Sequence, residues 1–544
     1  MIIQPGPQWK ELISISIYFP PRLWHNVEIV TVAEESFMRM PRSSGVLLHP
    51  TALPGPHGIG ALGAEARAFV DFLAGAGQSV WQTLPLGPTG YGDSPYNALS
   101  AFAGNPLLID LPTVAAWGDL DPAELAEGPD STSTVDFERV HQNKEQWLDR
   151  AARNFFHRAD AARQAAFTAF CADHCGWLDD YALFVALRTQ FQGRSWQQWP
   201  ASLRCREPRA LAEWRQRLAA TVAAEQYRQF AFFSQWQDLK AYANRRGVRL
   251  FGDLPIFVAL ESAEVWANQR LFRLDAEGHP TAVAGVPPDY FSVTGQRWGN
   301  PLYCWEAHLQ ENFAWWLARF RAELQRADLV RIDHFRGFQA CWVIPAMEPT
   351  AVAGQWEESP GRELFTTLQA VAPDLPIVAE DLGMITPEVE ALRRDFGFPG
   401  MKILQFAFDS GPDNPYLPHN YAADCVVYTG THDNPTTYGW WAGLSTGQRR
   451  QIANYLGSAQ PEVPWDLIRL AMASVATLCI TPVQDLLGLG DEARFNRPGE
   501  ATHNWQWRLT PGQLDRTTGE RLRDLTRIYH RLIDQNRTEP PLPT

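Results

Sequence analysis

The chain has 544 residues, a formal net charge of -14, 45% hydrophobic residues and 20% charged residues. That is a globular composition, long enough for one large domain with insertions or for two or three ordinary ones. The acidic balance argues against nucleic acid as a partner, because phosphate neutralisation needs a basic surface. With no run of about 18 apolar residues, no membrane span is expected.

Residues 1–43 carry Pro at positions 5, 7, 20, 21 and 41 and show no clear period. They are expected to form a poorly ordered N-terminal extension. The apolar stretch LISISIYF (12–19) has no basic segment before it and no small-residue cleavage site after it, so it does not read as a secretory leader. From Ser44 onward, short runs rich in Val, Ile and Leu recur: GVLLH (45–49), SVWQTLPL (79–86), VRLFGDLPIF (248–257), DLVRIDHF (328–335), PIVAEDLG (376–383), MKILQFAF (401–408), CVVYTGTHDN (425–434) and LCITPVQDLLG (478–488). Continuous apolar runs of this length are typical of parallel strands buried on both faces. Helical patterns separate many of them, as in AEARAFVDFLAGAG (64–77), PEVEALRRDFG (387–397) and PWDLIRLAMASVA (464–476). Eight strands with crossovers predict an α/β fold, a TIM-type (β/α)8 barrel within residues 44–544. A doubly wound open sheet fits less well, because no G-x-G-x-x-G opens a helix after an early strand. Between about 118 and 245 the rhythm breaks into an Ala-, Arg-, Gln- and Trp-rich segment. Helices are predicted there at 145–170 and 224–247, making a mainly helical insertion in a barrel loop.

The seven Cys have no zinc-like or disulfide-like spacing; Cys171 and Cys175 lie four apart without a second pair. An odd number of scattered thiols predicts a reducing, cytoplasmic setting and no metal site. The 22 Trp are unusually many. Most are expected in the core, but a flat apolar face with one N–H donor also suits packing on a sugar ring.

In a β/α barrel the working residues sit at the C-terminal ends of strands. Three predicted strand ends carry carboxylates. In VRIDHFRG (330–337), alternation puts Arg331 and Asp333 on one face and Ile332 on the other. If Ile332 meets the outer helices, Arg331 and Asp333 enter the barrel mouth. The guanidinium there favours the ionised carboxylate that a nucleophile requires. In IVAEDLG (377–383) an acid stands beside an acid. Repulsion and burial would keep one of Glu380 and Asp381 protonated, as a general acid must be. Alternation does not choose between them. In TGTHDN (429–434), His432 and Asp433 sit where a buried strand opens into a loop, placed to bond sugar hydroxyls, although Asp-Asn-Pro is also a good turn. Two carboxyl groups flanking one bond are the requirement for glycoside chemistry.

The order of motifs resembles the amylomaltase family, the 4-α-glucanotransferases or disproportionating enzymes of the α-amylase clan. The likeness runs from about Ser44 to about Leu509. It rests on GVLLHPTALPGPHGIG (45–60), GDSPYNALSAFAGNP (92–106), GDLPIFV (252–258), GVPPDYFSVTGQRWGNP (285–301), VRIDHFRG, VAEDLG and THDNPTTYGWW (431–441). The resemblance implies Asp333 as nucleophile, Glu380 as acid/base and Asp433 as the third carboxylate, gripping hydroxyls of a distorted sugar. It places Arg331, His334 and His432 along the same subsite, with Asp253 supporting it and Tyr96 on the donor side. It also implies a mobile acceptor-side lid loop at 285–301, with Asp289, Tyr290, Gln296 and Trp298 as sugar contacts. Pro287 and Pro288 would stiffen that loop, and Gly285, Gly295 and Gly299 would let it bend. The implied substrates are α-1,4-glucans and maltooligosaccharides, with glucose as an acceptor and no cofactor. The rival readings are an α-amylase-type hydrolase using the same acids and, from another class, a non-catalytic glucan-binding protein.

Overall fold

A computed structural model describes residues 40–125, 132–288, 292–500 and 502–533. Eight parallel strands follow the eight apolar runs in order. They are β1 (Ser43–Leu47), β2 (Val80–Gln82), β3 (Arg249–Pro255), β4 (Leu329–Asp333), β5 (Ile377–Ala379), β6 (Gly400–Ile403), β7 (Cys425–Tyr428) and β8 (Leu478–Pro482). Their spatial order is β6-β7-β8-β1-β2-β3-β4-β5. The Ala379 N–H, at the end of β5, donates to Pro399 O just before β6 at 2.9 Å, so the two edges meet and the sheet nearly closes into the expected barrel. Helices including Ala64–Gly75, Ala314–Arg326, Pro387–Asp395 and Trp465–Ala473 lie in the crossovers between successive strands.

The connection between β2 and β3 holds the helical insertion. Its main helices are Phe137–Arg158, Ala161–Asp173, Cys175–Gln190, Pro208–Arg217 and Ala219–Arg245. The helix predicted at 145–170 is interrupted because Asp160 caps a new one, its side chain accepting from the Arg163 N–H. The long helix Ala219–Arg245 buries polar side chains, and each finds a partner. Gln229 exchanges two hydrogen bonds with the backbone of Gly104 at 2.7 and 3.0 Å. Gln235 does the same with Asp110 at 2.7 and 3.0 Å. These pairs stitch the insertion to the loop that follows β2, each bond contributing about 1 kcal/mol.

A second sheet stands beside the barrel. Its antiparallel order is Gln296–Pro301, Ala282–Val286, Ala340–Pro345, Gln355–Glu358. The segment expected as a lid loop therefore begins and ends in paired strands. Gln296 and Trp298 lie on the edge strand, while Asp289 and Tyr290 fall outside the described residues. Among the described residues no helix is long and apolar enough to cross a membrane, and all seven cysteines are free thiols.

Candidate active site

Alternation along β4 decides which side chains reach the barrel mouth. Val330 and Ile332 are sealed in the outer apolar layer with Phe335, Phe338 and Phe365. Arg331 and Asp333 therefore face inward. Asp253 lies opposite Arg331 in the β3–β4 register. The guanidinium bridges the two acids: Nη1 donates to Asp253 Oδ2 at 2.6 Å and Nη2 to Asp333 Oδ1 at 2.7 Å. Asp253 Oδ2 also accepts from the Tyr96 hydroxyl at 2.6 Å, whereas its Oδ1 is buried with no protein partner. Burial pushes the Asp253 carboxyl upward, with Arg331 opposing.

Glu380 directly follows β5. Its two oxygens accept separate backbone N–H groups, Oε2 from His334 at 2.7 Å and Oε1 from Leu382 at 2.9 Å. The His334 donor is aimed by a left-handed backbone, φ 52°, a conformation that costs a non-glycine residue about 1 kcal/mol and recurs at functional sites. Burial pushes the Glu380 carboxyl up to about 8; Arg331 opposes this and the Asp333 charge adds to it. Its neighbour faces elsewhere. Asp381 Oδ1 accepts from the Met401 N–H at 2.7 Å, and Oδ2 lies 3.3 Å from Arg393 Nε. The structure thus separates the two acids that alternation left open: Glu380 shares a site with Asp333, and Asp381 braces the start of β6.

His334 stands edge-on to the Trp298 ring, with centroids 4.8 Å apart. Burial lowers its pKa to about 4, so the imidazole is neutral. Trp298 remains 39% exposed, and its Nε1 donates to Gln296 Oε1 at 3.1 Å. Its exposed ring surface, beside His334, is available to a ligand.

After β7, the loop Thr429–Thr437 presents His432 and Asp433. His432 stacks on Tyr96 at 5.3 Å. Burial lowers its pKa, with Asp433 opposing, and its Nε2 lies 3.4 Å from Asp433 Oδ2. The Asp433 side chain is 44% exposed. Its Oδ1 accepts from Asn496 Nδ2 at 2.6 Å and its carbonyl from Arg494 Nη2 at 2.7 Å. Trp505 lies against both Tyr96 and His432, at 6.0 and 6.1 Å. Sequence reasoning missed Asn496, Arg494 and Trp505, which lie in an aperiodic segment beyond the last strand. The Tyr96 loop is itself tied locally, with the Tyr96 N–H donating to Ser94 Oγ at 3.3 Å and Asn97 Nδ2 to Tyr91 O at 3.3 Å. Among the described residues no group of three or more His, Cys, Asp or Glu could hold a metal ion.

One constellation thus joins Asp253, Arg331, Asp333, His334, Glu380, Tyr96, His432 and Asp433, with Trp298 at its rim. A half-open carboxylate beside a proton-holding carboxyl can attack a sugar carbon while protonating the group that leaves it.

A family model described as 4-alpha-glucanotransferase matches residues 48–515. The 4-alpha-glucanotransferase of Thermus thermophilus is 52% identical over 503 residues, covering 91% of this chain and 100% of that protein. The enzyme of the same name from Synechocystis sp. is 52% identical over 497 residues, covering 90% of this chain and 98% of its own length. Among solved structures, the amylomaltase of Streptococcus agalactiae in complex with acarbose superposes with a TM-score of 0.87 at 40% identity. That match covers 90% of this chain and 99% of the other.

Proposed function

The chain belongs to the 4-alpha-glucanotransferase family, and we propose that its transfer reaction runs on Asp333, Glu380 and Asp433. Its activity is 4-α-glucanotransfer, and its substrates are α-1,4-glucans and maltooligosaccharides. In the proposed cycle the Asp333 carboxylate attacks the anomeric carbon, while Glu380 gives its proton to the departing glucosidic oxygen. A glycosyl ester forms on Asp333 and the shortened glucan leaves. The 4-hydroxyl of a second glucan, or of free glucose, then attacks the anomeric carbon and breaks its bond to the Asp333 oxygen. Glu380 takes its proton, Asp333 is released, and the α configuration is kept through two inversions.

The observation that carries the residue assignment is the setting of Glu380. Its carboxyl is held upward by burial and by the Asp333 charge, so it retains a proton where a general acid needs one. Two backbone donors fix its direction. Asp433 is half-open to solvent and anchored by Asn496, which suits a carboxylate that takes hydroxyl hydrogens from a sugar. Arg331, Asp253, Tyr96, His334 and His432 form the floor beneath it. The exposed Trp298 face, with Gln296, is proposed to hold the acceptor sugar, so that transfer outruns attack by water. The seven free thiols support a cytoplasmic location.

Incubation with maltotriose tests the proposal. Transfer yields glucose together with a ladder of oligomers longer than the donor. An α-amylase-type hydrolase would yield maltose and glucose without longer products, and a non-catalytic binding protein would leave maltotriose intact.

A further inference from the structure

One buried carboxylate close to this site has no part in the cycle. Asp485 lies in the short helix Val483–Leu486 after β8, with only 1% of its surface exposed. It forms no ion pair among the described residues. Its two oxygens are instead taken by three donors from the two ends of one loop. Thr429 Oγ1 donates to Oδ2 at 2.5 Å and Thr437 Oγ1 donates to the same oxygen at 2.6 Å. The Thr437 N–H donates to Oδ1 at 2.8 Å. Thr429 comes directly after β7, and Thr437 opens the helix Thr437–Gly443. Both threonines are fully buried. The residues between them are those that display His432 and Asp433.

Burying a carboxylate without a cation costs several kcal/mol unless every lone pair finds a donor. Burial does push the Asp485 carboxyl upward, and the threonine bonds oppose this. Charge-assisted bonds are shorter and more directional than neutral ones, so they locate the groups they hold closely. The rest of the loop has the same character. Gln405 Nε2 donates to Pro435 O at 3.0 Å, and Asn434 Oδ1 accepts from Thr431 N and Oγ1, both at 2.8 Å. With its ends pinned, the loop seats His432 on Tyr96 and brings Asp433 to Asn496.

We propose that Asp485 is a positioning residue: its carboxylate clasps Thr429 to Thr437 and thereby fixes the loop that aims His432 and Asp433 into the barrel mouth. The inference rests on the reading of Asp433 as a group that grips substrate, and adds what sets its place.

A double-mutant cycle tests it, with kcat and KM measured on maltotriose, a glycosyl fluoride donor for slow variants, and thermal unfolding recorded throughout. Asp485→Ala is expected to lower kcat by about 10- to 100-fold, the cost of a displaced working group, with KM changed less than about threefold. Asp485→Asn recovers most of the rate, because its oxygen can keep the Thr437 N–H while its amide turns to the two hydroxyls. In an Asp433→Asn background, Asp485→Ala costs several-fold less than in wild type, since the part of its effect that acts through Asp433 is already lost and only the His432 part remains. Thr429→Val keeps the side-chain shape and removes one donor, so it serves if Asp485→Ala does not fold. Its loss, expected at about 3- to 10-fold, also shrinks in the Asp433→Asn background. Equal fold losses in the two backgrounds would overturn the proposal, as would an Asp485→Ala enzyme with unchanged kcat. A fast Asp433→Asn enzyme would be a different failure: it would remove the reading of Asp433 first, and the clasp with it.

Discussion

Replacing Glu380 by Gln should stabilise the fold above about pH 6, and increasingly so as the pH rises. The wild-type carboxyl moves from an ordinary 4.5 to about 8, because burial and then the Asp333 charge disfavour its ionised form while Arg331 opposes them. An acid with a raised folded pKa keeps its proton longer in the folded state than in the unfolded one. Its contribution to stability is therefore full below the unfolded value and is lost as pH rises through the window up to the folded value. At about 1.4 kcal/mol per unit, the loss between about pH 6 and about pH 9 comes to about 3 kcal/mol, levelling off above about pH 8. Solvent at the barrel mouth screens the site and trims this to about 2 kcal/mol. Gln has no charge and escapes the loss. It gives up about 1 kcal/mol at every pH, because only one of its two terminal atoms can accept and either the His334 or the Leu382 N–H goes unmet. For a chain of this length, 1 kcal/mol moves the midpoint by about 1 °C. The Tm of Glu380→Gln minus that of wild type should thus grow by about 2 °C across that range. Scanning calorimetry at matched scan rates measures it. A difference that stays flat from acid to alkaline pH would refute the raised carboxyl and the general-acid argument built on it.

Glu380 must begin the cycle protonated, so kcat/KM should fall as pH rises through about 8, and this basic limb should be absent from pH–rate profiles of Glu380→Gln. Arg331→Met leaves Asp253 and Asp333 without their shared cation and should destabilise the fold by about 3 to 5 kcal/mol. Thermal unfolding should recover part of that loss in the Arg331→Met/Asp253→Asn double variant. Trp298→Ala removes the exposed ring beside His334. It should shift the ratio of transfer to hydrolysis on maltotriose by up to about 10-fold toward glucose release, the worth of one aromatic contact.

The barrel was legible because strands buried on both faces read as unbroken apolar runs, and all eight runs became strands. Their ends were less legible: SVWQTLPL gives only three strand residues, Val80–Gln82, because its remaining apolar residues pack beyond the ladder. The second sheet was not seen at all. Its edge strands QRWGNP and QWEE are short, polar and partly exposed, so neither alternation nor a buried run marks them, and its inner strands AVAGV and ACWVIP are mostly buried but only five and six residues long. At the site, alternation placed Arg331 with Asp333 correctly. It failed at Glu380 and Asp381 because what separates them is tertiary: the Met401 N–H and Arg393 claim Asp381 from outside β5. Asn496 was invisible for the same reason, since its bond to Asp433 spans 63 residues of sequence.

Trapping the glycosyl-enzyme identifies the nucleophile itself. A glycosyl fluoride needs little help from an acid to leave, so Glu380→Gln should still be glycosylated by α-maltosyl fluoride. Without its base the variant passes the sugar on slowly, and the ester should accumulate. After acid quenching and digestion, a maltosyl adduct is expected on the peptide carrying Asp333, localised to that side chain by fragmentation. An adduct on any other residue, or fluoride release at full rate with Asp333→Asn, would contradict the Asp333 assignment.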